Sequence, residues 1–132
     1  MMRRPALLAV LATLLIGAAG CGPAGPQRVT ITIHYSSFDP SALTVQHGVP
    51  VTFVLVNEDP IDHEWIVGDQ ALHERHRHGT EPVHGARPTE VTVPAGTTIE
   101  TTVTFDQSAH LTYVCHLPHH EAYGMVGTLT VT

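Results

Sequence analysis

Between Val29 and Val131 the chain is divided into short runs in which apolar residues recur at every second position, and turn residues separate the runs. This period of two is the mark of a half-buried strand, and it excludes a helical bundle. Val29, Ile31 and Ile33 alternate with Thr30, Thr32 and His34. Leu43 and Val45 follow the turn at Asp39-Pro40, and His47-Gly48 marks the next turn. The run from Val51 to Val56 is apolar on both parities, as expected of a strand covered on two faces. His63, Trp65 and Val67 share a parity, as do Val91 with Val93, and Ile99 and Thr101 with Val103 and Phe105. Leu111, Tyr113 and Cys115 share another, and Met125, Gly127, Leu129 and Val131 close the chain on one parity. These runs predict an all-β, antiparallel sandwich of seven to eight strands with Greek-key connections.

Residues 69–89 break the pattern. They hold His73, His76, His78 and His84, and their apolar residues have no clear period. The segment is expected to be a long His-rich loop inserted between strands, with one helical turn over residues 71–77. Loops of this length in compact domains usually have a function or are mobile. Its four histidines could hold Cu(II) or Zn(II), making them a candidate second metal site. The simpler reading is a solvated, flexible loop.

The first twenty residues have the form of an export signal. Arg3 and Arg4 precede an apolar run over 6–16, and small residues 17–20 lead to Cys21. The run is too short for a spanning helix, which needs about 20 residues. Ala18-Ala19-Gly20-Cys21 resembles the lipobox of bacterial lipoproteins, in which the cysteine becomes the lipidated first residue. Two or three acyl chains give stable anchoring, where one is marginal. The expected organisation is therefore a signal peptide over 1–20, a lipidated Gly/Pro tether over 21–27, and one domain over 28–132 with the insert at 69–89. The implied location is the outer face of the cytoplasmic membrane or the periplasm.

Composition narrows the function. All six basic residues are arginine, against twelve acids, so the formal charge is −6. Loss of Arg3 and Arg4 would bring it to about −8, which excludes a basic nucleic-acid binder. Two cysteines cannot make a disulfide scaffold. There is no His-Glu-x-x-His, Gly-x-Ser-x-Gly or phosphate-binding glycine loop, so hydrolysis has little support.

The informative segment is Tyr113-Val114-Cys115-His116-Leu117-Pro118-His119-His120-Glu121-Ala122-Tyr123-Gly124-Met125. Cysteine, histidine and methionine recur at intervals of five between two strands, and His63 begins an upstream strand. Two imidazoles and a thiolate with a weak thioether are the ligand set of a blue-copper electron-transfer site. At these residues the chain resembles the cupredoxins, the plastocyanin/azurin family. Phe38-Asp39-Pro40, Leu43-Thr44-Val45, Val51-Thr52-Phe53, Asn57, Asp62-His63-Glu64-Trp65 and Gly124-Met125-Val126-Gly127 add to the likeness. The resemblance implies a cupredoxin-like sandwich holding one copper through His63, Cys115 and His120, with Met125 as axial ligand. Where many relatives read Pro-Gly-His, this chain has Pro118-His119-His120, so His119 is a rival to His120.

The family likeness implies a monomeric carrier of single electrons between redox protein partners, not an enzyme. The edge of His120 would be the exit, ringed by Leu117, Pro118, Tyr123, Pro60 and Ile61. Cys115-His116 also resembles the last domain of multicopper oxidases. The paired His-x-His segments of those enzymes are missing from the strands here. A third reading is copper storage, scavenging or delivery by way of the His-rich loop. Trp65 is expected in the core, Tyr113 and Tyr123 as packing near the site, and His34, His47 and His110 in solvent.

Overall fold

The computed structural model describes residues 25–82, 85 and 87–132. The expected signal peptide over 1–20, Cys21 and His84 lie outside these residues. The elements run β1 Gln27–His34, β2 Ser37–Asp39, β3 Ala42–Val45, β4 Val51–Asn57 and β5 His63–Gly68, then α1 Gln70–Arg77, β6 Glu90–Val93, β7 Thr98–Val103, β8 Ala109–Val114 and β9 Val126–Val131. They form two facing sheets, with strand orders β2-β1-β4-β7 and β3-β9-β8-β5-β6.

The all-β sandwich is therefore present, with nine strands among the described residues. It is not purely antiparallel, because β1 pairs with β4 and β3 with β9 in parallel. The reason is topological. The chain leaves the first sheet after β2, adds β3 to the edge of the second, and returns as β4. That excursion supplies the long connection a parallel pair needs, which a tight hairpin cannot.

The period-two reading matches the core. Ile31, Ile33, Phe53, Leu55, Trp65, Val67, Tyr113, Leu129 and Val131 are buried together between the sheets. β4 lies between β1 and β7, and Val51, Phe53, Val54 and Leu55 are all buried. His34, His47 and His110 are exposed, as expected. Gly127 on β9 permits the close approach of the Tyr113 ring: a Cβ there would lie 2.1 Å from Tyr113 Cζ. The Tyr113 hydroxyl donates to the Pro40 carbonyl at 2.6 Å, and burial pushes its pKa up to about 12.

The expectation of an irregular 69–89 loop is corrected in its first part. Residues 70–77 form the two-turn helix α1, capped by Asp69, whose carboxylate accepts the Leu72 N–H at 2.8 Å. Arg75, His76 and Arg77 in the last turn complement the negative end of the helix dipole. The helix lies against β5 and β8. Gly68 makes this possible, since a Cβ there would meet Leu72 Cδ2 at 2.8 Å. With a helix outside and the core inside, all six residues of β5 are buried. At its C-terminal end α1 is tied to the β8–β9 loop by Arg77, whose Nε lies 3.0 Å from both oxygens of Glu121.

Candidate metal centre

The end of β4 sets up the first ligand. Asn57 is buried, and its amide donates to the carbonyls of Ile61, Val93 and Pro94 at 2.8–3.1 Å. Its Oδ1 accepts the Asp59 N–H at 3.0 Å. One side chain thus fixes the 58–62 turn and delivers His63, fully buried, at the start of β5.

The other donors come from the loop joining β8 to β9. The Cys115 N–H donates to the Met125 carbonyl at 3.2 Å, and the Met125 N–H to the His120 carbonyl at 3.0 Å. The His120 N–H donates to Leu117 at 3.1 Å. These bonds fold eleven residues into a compact cup. Cys115 Sγ and His120 Nδ1 stand 3.2 Å apart, and His63 Nδ1 is 3.2 Å from His120 Nδ1. Three donor atoms from His63, Cys115 and His120 lie within 4.8 Å of one another. Met125 is fully buried on the same loop.

His119 is not part of this cluster. It is exposed with φ +71°, the left-handed region that favours glycine. Its ring lies beside Tyr123, with centroids 6.2 Å apart. Position 119 is thus the turn that aims His120 inward, which accounts for the glycine expected there. Tyr123 is 78% exposed and does not pack against the site as expected.

Asp59 was not singled out in the sequence. Its carboxylate lies 2.9 Å from His63 Nε2 and accepts the N–H groups of Tyr35 and Ser36 at 2.7 and 2.8 Å. Burial would raise its pKa, but the Ser36 and Tyr35 amides and the His63 ring outweigh burial and hold it below the usual range. A carboxylate can only accept here, so His63 Nε2 carries the ring proton. The Nδ1 lone pair is left facing the centre. This carboxylate–imidazole arrangement is how proteins orient metal-bound histidines. The only sequence signal was an Asp four residues before a His at a strand start.

Burial pushes the Cys115 thiol up, opposed by the N–H groups of Glu64, 3.3 Å from Sγ, and Leu117. Burial, aided by His63, pushes His120 down and keeps it a neutral donor. Two imidazole nitrogens and a sulfur within 4.8 Å of one another, His120 Nδ1 being 3.2 Å from each of the other two, repel through their lone pairs unless a proton or cation lies among them. A soft sulfur with two imidazoles suits copper in both oxidation states, and metal binding would displace the thiol proton.

Of the His-rich segment, the structure brings His73 and His76 together on one face of α1, against His116. His78 is exposed and turned to Glu74, 3.4 Å away. Of the four histidines of that segment, His73 and His76 thus lie together with His116, His78 does not join them, and His84 is outside the described residues.

Two facing sheets carrying a buried His–Cys–His cluster at one end define a small copper-binding β-sandwich of cupredoxin type. A family model for copper binding proteins of the plastocyanin/azurin family matches residues 27–132, and the chain belongs to that family. It is 29% identical to the copper-resistant cuproprotein CopI of Pseudomonas aeruginosa, over 96% of this chain and 95% of that one. It is 31% identical to CopI of Rubrivivax gelatinosus, over 83% of this chain and 70% of that one. The blue copper protein auracyanin A of Chloroflexus aurantiacus superposes with a TM-score of 0.66 at 25% identity, covering 82% of this chain and 100% of that one.

Proposed function

We propose that the protein carries single electrons between redox partners outside the cytoplasm, through one copper that His63, Cys115 and His120 would hold, with Met125 supplying a thioether. The observation that carries this reading is the converged trio, with His63 oriented by Asp59. When bound, the copper supplies a one-electron Cu(I)/Cu(II) couple. The chain contributes rigidity: Asn57 fixes one ligand turn, and the Cys115–Met125 and Met125–His120 backbone bonds fix the other. Donors that move little between oxidation states keep the reorganisation small.

His120 is half-buried, its N–H bonded to the Leu117 carbonyl, and the apolar rim expected around it would draw on Pro118, Pro60 and Ile61, all exposed, Ile61 at 47%. A small apolar patch of this kind suits brief redox encounters, which use small interfaces. The net negative charge would favour basic partners. A monomer suffices for this role, and no enzymatic turnover is required.

Voltammetry of wild type and Met125→Leu tests the reading. The wild type should give a reversible one-electron wave. Met125→Leu should keep copper and raise the potential by about 60 mV or more, a tenfold shift in relative affinity for the two oxidation states. An unchanged potential removes Met125 from the ligand set.

The residues at the N-terminus support anchoring through a lipidated Cys21. Cys21→Ala should move the protein from the membrane to the soluble fraction, and membrane retention would contradict the anchor. A second reading, copper storage or delivery, is favoured by the copper-resistance names of the two relatives. Loss of copper tolerance in a deletion strain, undiminished by Met125→Leu in the complementing copy, would favour it over electron transfer.

A further inference from the structure

Helix α1 is fastened to the ligand loop at two places, and each lies one residue beyond a member of the trio. After Cys115 comes His116, whose Nε2 is 2.9 Å from His73 Nδ1 and whose ring stacks on that of His76, with planes 15° apart. After His120 comes Glu121, which Arg77 holds from the last turn of α1. Arg77 Nε lies 3.0 Å from both carboxylate oxygens, and Nη2 also bonds Oε1. Arg77 Nη1 donates to Glu74 at 2.8 Å, one turn back on the helix, which fixes the direction of the guanidinium. His116 Nδ1 is 3.6 Å from Glu121, so the two fastenings meet.

Most surface ion pairs contribute little, because two long side chains must be ordered in water. This one is a fork of charge-assisted bonds within a network that includes Glu74, the arrangement in which such pairs count. Its place matters as much as its strength. The backbone bonds of the cup, Cys115 to Met125, His120 to Leu117 and Met125 to His120, all run within the loop. They set its shape. A loop bonded to itself can still lean as a body about its ends, and leaning moves His120 relative to His63, which belongs to β5. A tie from outside the loop resists this. α1 is seated on β5 and β8, the strands that carry His63 and lead into Cys115. Through Glu121, Arg77 therefore refers the position of His120 to the same strands that place the other two donors.

We propose that Arg77 is a positioning residue for the metal centre: by holding Glu121 it fixes His120 against His63 and Cys115. This rests on the copper centre proposed above. The sign of the effect separates positioning from plain electrostatics. Removing a cation from the neighbourhood of Cu(II) should strengthen Cu(II) binding, whereas releasing the ligand loop should weaken it.

The test compares the copper-loaded wild type with Arg77→Gln, Glu121→Gln, their double variant and Arg75→Gln, by competition for Cu(II) against a chelator and by EPR. Arg77→Gln should weaken Cu(II) binding about tenfold, the low end for a partner beyond the ligands. Its EPR signal should broaden or double, as His120 takes up more than one position. The double variant should bind no more weakly than Glu121→Gln, because both changes break one contact. Arg75→Gln breaks an ion pair between α1 and Glu81, outside the ligand loop, and should match the wild type in both readouts. Unchanged or tighter Cu(II) binding in Arg77→Gln overturns the positioning role, as does weaker binding with an unaltered EPR signal. Equal losses in Arg75→Gln overturn it too, since helix stability would then explain them. If Arg77→Gln does not fold, Glu121→Gln carries the test, and a wild-type EPR signal there overturns the role. A wild type without thiolate colour overturns the copper centre and this role together. A coloured wild type with an unchanged Arg77→Gln overturns this role alone.

Discussion

Cys115→Ser will give a folded, colourless protein that loses its copper on dialysis. Cys115 is fully buried and contributes the only sulfur of the converged trio. Serine keeps the size of the side chain and removes its chemistry. A hydroxyl does not ionise at neutral pH, and its oxygen is a poor partner for Cu(I). Loss of an outer-shell partner typically costs 10–100-fold in metal affinity, so loss of this inner ligand should cost more than ~100-fold. Circular dichroism of the variant should match the apo wild type, because Ser is nearly isosteric and Glu64 N–H retains an acceptor. Copper retained with its colour would show that the thiolate is not a ligand.

Asp59→Asn should have the second largest effect. The Asp59 carboxylate holds the His63 ring from behind and places a negative charge one residue from the centre. Removing that charge takes more stabilisation from Cu(II) than from Cu(I), so the potential should rise by about 60 mV or more. Copper affinity should fall roughly 10- to 100-fold. Acid stability should also change. Asp59 is held below its ordinary pKa, so its contribution is fully present above that ordinary value. It is lost as pH falls through the lower folded value. Asp59→Asn should therefore flatten the acid side of the apo stability profile. Asp59→Ala goes further, because Tyr35 and Ser36, at φ +50° and +52°, lose the acceptor that holds their turn. An unfilled hydrogen bond of this kind costs about 1–3 kcal/mol. An unchanged potential in Asp59→Asn would leave the residue a purely structural role.

The strands were readable because their inward residues are ordinary apolar ones at period two, from Ile31 and Ile33 to Leu129 and Val131. The helix was not. In Gln70–Arg77 the buried residue is His73, so an amphipathic helix is written without an apolar stripe. The three-residue β2 has one buried side chain, Phe38, and gives no period at all. The parallel pairs depend on the order in which the chain visits the two sheets, which no local pattern encodes.

The ligand trio was readable because two of its members lie five residues apart on one loop. The choice between His119 and His120 rests on a backbone angle, φ +71° at His119, which the residue name conceals. Asp59 stayed hidden for a tertiary reason. Its partners, Tyr35, Ser36 and His63, are joined only when the β1–β2 turn meets the 58–62 turn. His116 follows Cys115 in sequence, but its relation to His73 and His76 appears only once α1 is laid across β8.

The most direct test is the visible and EPR spectrum of the copper-loaded domain. Copper held by one thiolate and two imidazoles predicts an intense thiolate-to-Cu(II) charge-transfer band, with one such copper per chain and bleaching on one-electron reduction. A Cu(II) form without that band would contradict copper binding at Cys115, and with it the site on which the proposed function rests.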